Sequence, residues 1–481
     1  MLKKMFYSPA LVAGLKRLRV QNLLALALVC GLAFASTAVF AQGAPTARVP
    51  IGPPVAAGDH FSVPSGPLPL VQPQVPTGPG VPIGMSFEGI DFNGSNCGCL
   101  PPDTNAAVGN GFVVEAVNIQ IRVFDQTTGN ILLDEPLQTF FGAFSGGDPY
   151  VVYDDIANRW YVTAFDGSDS GLFLAVSNDG NPLDGFVTHD LTNVGGFPDY
   201  AKPGFNKDAI FIAYNNFGSG GGNANIASIS KKALFGGTLT YFVSVPKSQF
   251  RAMPPAQMHG QKHGGTEYFV STDGTDAGGN TIRVTKMTKY LSNSPQFTYT
   301  SLPVTPYQSA TTADQPGGPG SITTFPNTTT YQVHFRNGHL VTAMASALAG
   351  DGFVYPKGLY YQIGVSKKKV TLLQQGVIDP GAGVAVQMPS VDEDSNGNLG
   401  LSWMESSLSE FLTMWVGSPA SSNSVAAAGG GFFSVSFRIG DYSTTVLDPA
   451  NPLAFWSANE YIGSDGGSDI WRTHITSFTA K

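Results

Sequence analysis

Charge is scarce in this chain. Only 12% of its 481 residues are Asp, Glu, Lys or Arg, and the balance is acidic, with 26 Lys and Arg against 34 Asp and Glu. Outside the first twenty residues the one basic run is Lys367-Lys368-Lys369. That excludes nucleic acid as a partner, because phosphate recognition needs a basic footprint. Cysteine is nearly absent too, with three in all. No further Cys or His lies near Cys97 and Cys99 to complete a zinc site. Helical periodicity is missing from every ten-residue stretch beyond the N-terminal segment, and 58 Gly and 34 Pro are too many for long helices. No G-x-S-x-G elbow is present, so no Ser-His-Asp triad can be read. Long apolar runs are confined to Leu23–Phe40.

That run follows Lys3, Lys4, Lys16, Arg17 and Arg19 and ends at Val39-Phe40-Ala41. A positive region, an apolar stretch and small residues at its end make an export signal, with cleavage expected after Ala41. Residues 1–41 are therefore read as a signal peptide. Residues 42–84 are read as an extended Pro/Gly-rich linker, and 85–481 as the folded body. The mature chain is expected to be secreted or periplasmic, monomeric and free of the membrane. Cys97-Gly98-Cys99 reads as a local disulfide, a free thiol pair or half of a metal site, and export favours the disulfide.

Within the body, short Pro- or Asp-bearing runs recur ahead of β-rich stretches. They include PPD at 101–103, DPYVVYD at 148–154, DYAKPG at 199–204, QPGGPG at 315–320, MPSVDED at 388–394 and GDYS at 440–443. Most gaps, such as 45 residues (103 to 148) and 51 (148 to 199), have the size of a propeller repeat. The gap from 199 to 315 implies one weak module hidden near His259–His263. β-branched and aromatic runs such as Trp160–Phe165 and Leu172–Ser177 alternate with polar turns. The expected fold is all-β: a single β-propeller of seven four-stranded blades. The last module shows only three strands, so the alternating segment Met85–Phe92 is expected to complete it and close the ring.

PPDTNAAVG (101–109), GGDPYVVYDDIANRWYVTAF (146–165), MPSVDEDSNGNLGLSWMESS (388–407), GDYSTTVLDP (440–449) and FWSANEY (455–461) carry a resemblance. Over roughly 87–478 the chain resembles a family of secreted bacterial β-propeller proteins with sialidase-like repeats. The resemblance implies the fold and brings no catalytic residues with it. True sialidases have an arginine triad and Asp-box turns. Here Ser177-Asn178-Asp179-Gly180 has its Gly one place early and no Trp follows, and the arginines are scattered, which speaks against sialidase chemistry.

Residues at the entry of each inner strand converge near a propeller's axis. Asp103, Asp148, Asp199 and Asp441 hold such places and form the candidate ligand-binding set, with Gln315 and Ser390 at the equivalent marks. Four carboxylates suit Ca²⁺, or the acid–carboxylate pairing of glycoside hydrolysis. Repetition of the mark in most modules equally suits a turn-forming role. Asp392, Asp394 and Asn396 resemble the start of a calcium loop, but Trp403 stands where the bidentate Glu belongs. His259 and His263 lack the helix that zinc spacing needs, and Glu267 nearby reads as an acid or base or, as the blander reading, a solvated loop residue. Tyr200, Tyr442, Trp403, Trp456 and Trp471 are either core or sugar-stacking residues. With no recognisable catalytic constellation, the expected function is non-catalytic binding of an extracellular glycan or protein surface. The alternatives are a carbohydrate-active hydrolase or lyase and a structural envelope protein. Ca²⁺ is the one cofactor the pattern suggests.

Overall fold

The computed structural model describes residues 61–62 and 79–480, apart from 144, 168–169, 193, 218–221, 247–250, 273–277, 311, 324–331, 349–351, 353, 368 and 465–468. The expected signal peptide, residues 1–41, and most of the expected linker lie outside the described residues.

β1 (Phe61–Ser62) and β2 (Ile83–Asp91) precede a series of antiparallel meanders. The first comprises β3 (Asn105–Gly109), β4 (Phe112–Val117), β5 (Gln120–Asp125) and β6 (Ile131–Pro136). The second comprises β7 (Ser145–Asp154), β8 (Arg159–Asp166), β9 (Leu172–Ser177) and β10 (Phe186–Leu191). The third is β11 (Phe197–Phe205), β12 (Ala209–Phe217), β13 (Asn223–Ser230) and β14 (Tyr241–Ser244). The fourth begins with the short β15 (Ala256–Met258), bridged through Pro255 to Phe269, and continues as β16 (Glu267–Thr272), β17 (Gly278–Thr288) and β18 (Gln296–Gln308). A separate hairpin, β19 (Thr312–Gln315) and β20 (Gly318–Thr323), intervenes. The fifth meander is β21 (Val333–Arg336), β22 (His339–Leu348), β23 (Lys357–Val365) and β24 (Val370–Ile378). The sixth is β25 (Ala385–Glu393), β26 (Leu399–Ser407), β27 (Glu410–Ser418) and β28 (Ser421–Ala427). The last is β29 (Thr444–Leu447), β30 (Ala454–Ser464) and β31 (Asp469–Thr479), with β2 added antiparallel on β31. The fold is an all-β propeller. No described helix is long and apolar enough to cross a membrane.

Burial follows position within each meander. β9 and β26 are buried along their whole length, whereas the outer strands β6, β28 and β2 alternate or stand exposed. Inner and middle strands are covered on both faces by neighbouring meanders, which is why Leu172–Ser177 is a continuous apolar run. The core is accordingly split into seams. One cluster joins Val114, Val123 and Phe141 to Val151, Trp160 and Phe173. Another joins Leu174 and Val176 to Ile210 and Ile212. A further seam packs Ala106, Val108 and Phe124 of the first meander against Val446, Trp456 and Ile475 of the last. At the axis the inner strands approach one another directly, with Phe205 of β11 paired to Gln257 of β15. Gly204 permits this approach, since a Cβ there would lie 2.7 Å from Pro255 O and 2.8 Å from Ala256 O.

One expectation needs correction. Gln315 does not open the fifth inner strand. It lies in the inserted hairpin, where its side chain exchanges hydrogen bonds with the Phe433 backbone (Nε2 to O, 3.0 Å; N to Oε1, 2.8 Å). The linker also lies against the body where it is described, with Phe61 paired to Tyr299 and Gly80 bridged to Ser422.

Candidate functional site

The entry of the inner strands has a shared backbone device. Asp103, Asp148, Tyr200, Ala252, Met388 and Asp441 all have left-handed φ, between 42° and 82°. Register shifts accompany it between Gly147 and Tyr150, Asp199 and Lys202, and Gln387 and Ser390. An irregularity of this kind bends a strand and re-aims its side chains. Asp tolerates the left-handed region better than most residues, which accounts for its recurrence. Tyr200, Ala252 and Met388 show that the turn does not require it.

At this entry Asp103, Asp148, Asp199 and Asp441 come together, so the sequence-predicted set is a spatial group. Asn118 ties two of them: its Nδ2 donates to Asp103 Oδ2 (2.7 Å) and its Oδ1 accepts from the Asp148 N–H (2.9 Å). Asp148 Oδ2 accepts from the Tyr442 hydroxyl (2.9 Å) and the Tyr200 N–H (3.1 Å). Arg438 pairs with Asp441. Among these carboxylates sits Lys202, which sequence reasoning missed. The left-handed Tyr200 and the register shift beside it turn Lys202 toward the Tyr200 ring. The Lys202 ammonium lies 3.7 Å from the Tyr200 ring centroid and 3.8 Å from that of Tyr442. It is 3% exposed and its Nζ has no hydrogen-bond partner.

Burial pushes Lys202 down to about 7, against the pull of Asp148, Asp103, Asp441 and Asp199. Asp199 is pushed up to about 7 by burial and then by the charges of Asp148 and Asp441. Asp103 is raised well above the usual carboxylate range by burial, Asp148 and Asp441. Asp441 is raised by burial, with Arg438 opposing. Behind the group, Glu460 accepts from Thr104 Oγ1 (2.9 Å) and Gly440 N (3.1 Å), and burial lifts it to about 8. Burial first, and mutual repulsion after it, thus disfavours charge on these carboxyls.

A second polar group lies at the far ends of the inner strands. Asp155 Oδ1 is 3.0 Å from His259 Nδ1, and the His259 ring stacks on that of His334 with centroids 5.7 Å apart. Arg336 grips Asp392 through Nε and a terminal nitrogen (2.9–3.2 Å), and Asp392 Oδ2 also accepts from Leu447 N (2.7 Å). Burial disfavours the Asp392 charge, but Arg336 and then His334 outweigh it and hold the carboxyl below its ordinary value.

The structure does not bring Asp392, Asp394 and Asn396 together as a calcium site. Asp392 faces Arg336, while Asp394 accepts from the backbone N–H groups of Asn396 and Asn398 (both 2.8 Å) and so forms the hairpin turn. Among the described residues no group of three or more His, Cys, Asp or Glu is placed to hold a metal ion. Cys97 and Cys99 are bonded, with S–S 2.07 Å. Glu267 is fully buried on β16 and not a solvated loop residue, and its Oε1 accepts from Tyr268 N (3.0 Å). Trp403, Trp456, Trp471 and Tyr442 are buried core residues. The Tyr200 and Tyr442 rings each cover Lys202.

No family model matches the sequence, and no curated protein matches it. Solved structures similar to it include the N-terminal domain of Nup159 (10% identity, 88% of this chain and 100% of that chain, TM-score 0.39). A protein of unknown function from Dyadobacter fermentans is similar at 11% identity, over 83% of this chain and 100% of that one, with TM-score 0.39. A GH43 endo-arabinanase from Bacillus licheniformis is similar at 14% identity, over 57% and 96%, with TM-score 0.26.

Proposed function

We propose that this chain is an exported, monomeric propeller of seven blades, its ring closed by β2, that acts outside the cytoplasm. It binds a glycan or protein surface at the carboxylate-lined mouth without transforming it. One observation carries the reading: an ammonium, Lys202 Nζ, is held buried and without a hydrogen-bond partner between two tyrosine rings and four carboxylates. Donor and acceptors at one mouth suit hydroxyl-bearing ligands, which both give and receive hydrogen bonds. Glycoside hydrolysis needs an acid and a carboxylate on opposite sides of a reacting bond, about 5–9.5 Å apart. Here Asp148 Oδ2 is already taken up by Tyr442 and Tyr200.

The test is a glycan array probed with the mature chain, with reducing-end release measured on the same sugars. Binding without turnover, weakened by Asp148→Asn, is the expected result; release of reducing ends would sink it. The hydrolase or lyase reading draws on the raised carboxyl of Asp103 beside Asp148. It loses its mechanism if Asp103→Asn and Asp148→Asn leave a detected activity intact.

A further inference from the structure

We infer that Cys97 and Cys99 form a thiol–disulfide exchange site that oxidises protein dithiols, rather than a staple for the fold. The inference is independent of what the mouth binds. The bridge joins cysteines only two apart in sequence. A cross-link stabilises more the longer the loop it closes, so this one holds little together. The turn around it is already held by other bonds. Gly94 N donates to Asp91 Oδ1 (2.6 Å), and Trp471 Nε1 donates to Cys99 O (3.0 Å). Ser95 Oγ donates to Phe92 O (2.8 Å) and accepts from Gly98 N (3.0 Å). Asn96 and Gly98, on either side of Cys97, are left-handed at φ 62° and 56°. None of these features needs the sulfurs, so an opened pair stays opposed and can close again. Both cysteines are half-buried, not enclosed. A bridge within reach of solvent and of low structural value is the labile or catalytic kind.

The two sulfurs differ in their surroundings. Cys97 Sγ accepts from the Cys99 N–H (3.2 Å) and lies 2.9 Å from the Asn118 carbonyl oxygen. Cys99 Sγ has no polar neighbour beyond its bridge among the described residues. An incoming thiolate therefore attacks Cys99 Sγ. The S–S bond breaks, a mixed disulfide forms on Cys99, and Cys97 leaves as a thiolate facing the Cys99 N–H. After taking a proton from water, the Cys97 thiol donates to Asn118 O. The disulfide sulfur has no proton and cannot make that bond. The second thiolate of the dithiol then attacks its own sulfur in the mixed disulfide and expels Cys99, which is protonated in turn. Two electrons pass to the pair, and the dithiol leaves as a disulfide. A bond made only by the reduced form favours reduction, which makes the pair an oxidant.

The test uses the purified chain carrying Cys30→Ser, so that Cys97 and Cys99 are its only cysteines. Reduction by dithiothreitol is followed by alkylation and intact mass, for the folded chain and for the chain in urea. Two alkyl groups are expected on the folded chain, at a rate within about tenfold of the unfolded one. Tm should fall by about 2 °C or less on reduction, as suits so short a loop. A bridge that opens only in urea overturns the inference. So does a fall in Tm of about 5 °C or more, which a structural staple would give. Equimolar reduced thioredoxin supplies the protein arm and is expected to lose one thiol pair for each pair the chain gains. No transfer, while dithiothreitol still opens the bridge, overturns the role toward protein dithiols. With glutathione disulfide, Cys97→Ser should form a mixed disulfide about tenfold faster than Cys99→Ser; the reverse order overturns the choice of Cys99 as the attacked sulfur.

Discussion

Replacing Lys202 with Met keeps an unbranched apolar stem but removes the ammonium that four carboxylates share. The site is 3% exposed, so water does not replace the lost charge. Nζ has no hydrogen-bond partner, so what is lost is longer-range attraction, on the order of 3 kcal/mol for unit charges about 5 Å apart at an effective dielectric of about 20. A body of roughly 400 residues, at about 2.1 cal/mol/K each, has an unfolding entropy on the order of 0.84 kcal/mol/K. Tm is therefore expected to fall by roughly 4 °C near neutral pH. The pH dependence has a definite sign. Asp199 is raised to about 7, and Asp103 and Asp441 are raised as well. Carboxyls of this kind take up protons on folding, so they weaken the fold as pH climbs from the ordinary carboxylate range through about 7. Lys202, lowered to about 7, acts in the window above, where native stability gains with rising pH because the unfolded lysine still holds its proton. The variant keeps the first effect and loses the second. Its Tm deficit should narrow as pH falls from 7 toward about 4, the ordinary range, and Asp199→Asn in the same chain should recover part of it. Thermal melts followed by circular dichroism across that range read the result. An unchanged Tm at pH 7, or a deficit that widens on acidification, would refute the reasoning.

Glu460→Gln should be nearly neutral at pH 7, because burial already keeps that carboxyl protonated up to about 8. Glu460→Ala should cost about 1–3 kcal/mol by stranding Thr104 Oγ1 and Gly440 N, and denaturant midpoints distinguish the two. Asp392→Ala should lose about 3–5 kcal/mol, since it leaves the Arg336 guanidinium buried without its partner; a loss below 1 kcal/mol in urea melts would mean the pair is dispensable. Trp456→Ala, in the seam between the first and last meanders, should cost about 3–5 kcal/mol, read by the same melts. Millimolar CaCl₂ should leave Tm unchanged, because the Asp392 and Asp394 oxygens are occupied by Arg336 and by the hairpin turn.

Much of the architecture was legible because the marks are local. Asp103, Asp148 and Asp441 sit at a left-handed position that favours short polar residues, so their type and spacing reported the strand entries. Where another residue fills that position the signal fades. Ala252 does so ahead of the fourth meander, where the sequence showed only a weak module. QPGGPG misled for a related reason: its Gly and Pro mark a tight hairpin turn, and the fifth inner strand starts later, at Val333. The four aspartates were recoverable as a group from register alone. Lys202 was not, although it stood within DYAKPG, because nothing local says that a lysine three residues past the Asp199 mark points inward. The irregularity between Asp199 and Lys202 breaks the strand alternation that would otherwise have said which way it points. The pairing of Arg336 with Asp392, 56 residues apart, left no local trace.

The strand that completes the last meander comes from the opposite end of the body. Met85 N donates to Ser477 Oγ across 392 residues of sequence. β2 is therefore synthesised first among the meander strands and is among the last able to pair. Until Asp469–Thr479 has left the ribosome, the edge it will cover does not exist, and β2 remains an orphan. Such a contact raises contact order and places this pairing late in folding. A nascent chain cut short anywhere before β31 therefore carries an unpaired strand at its front as well as an open edge at its truncated end, two places where misassembly between chains can begin.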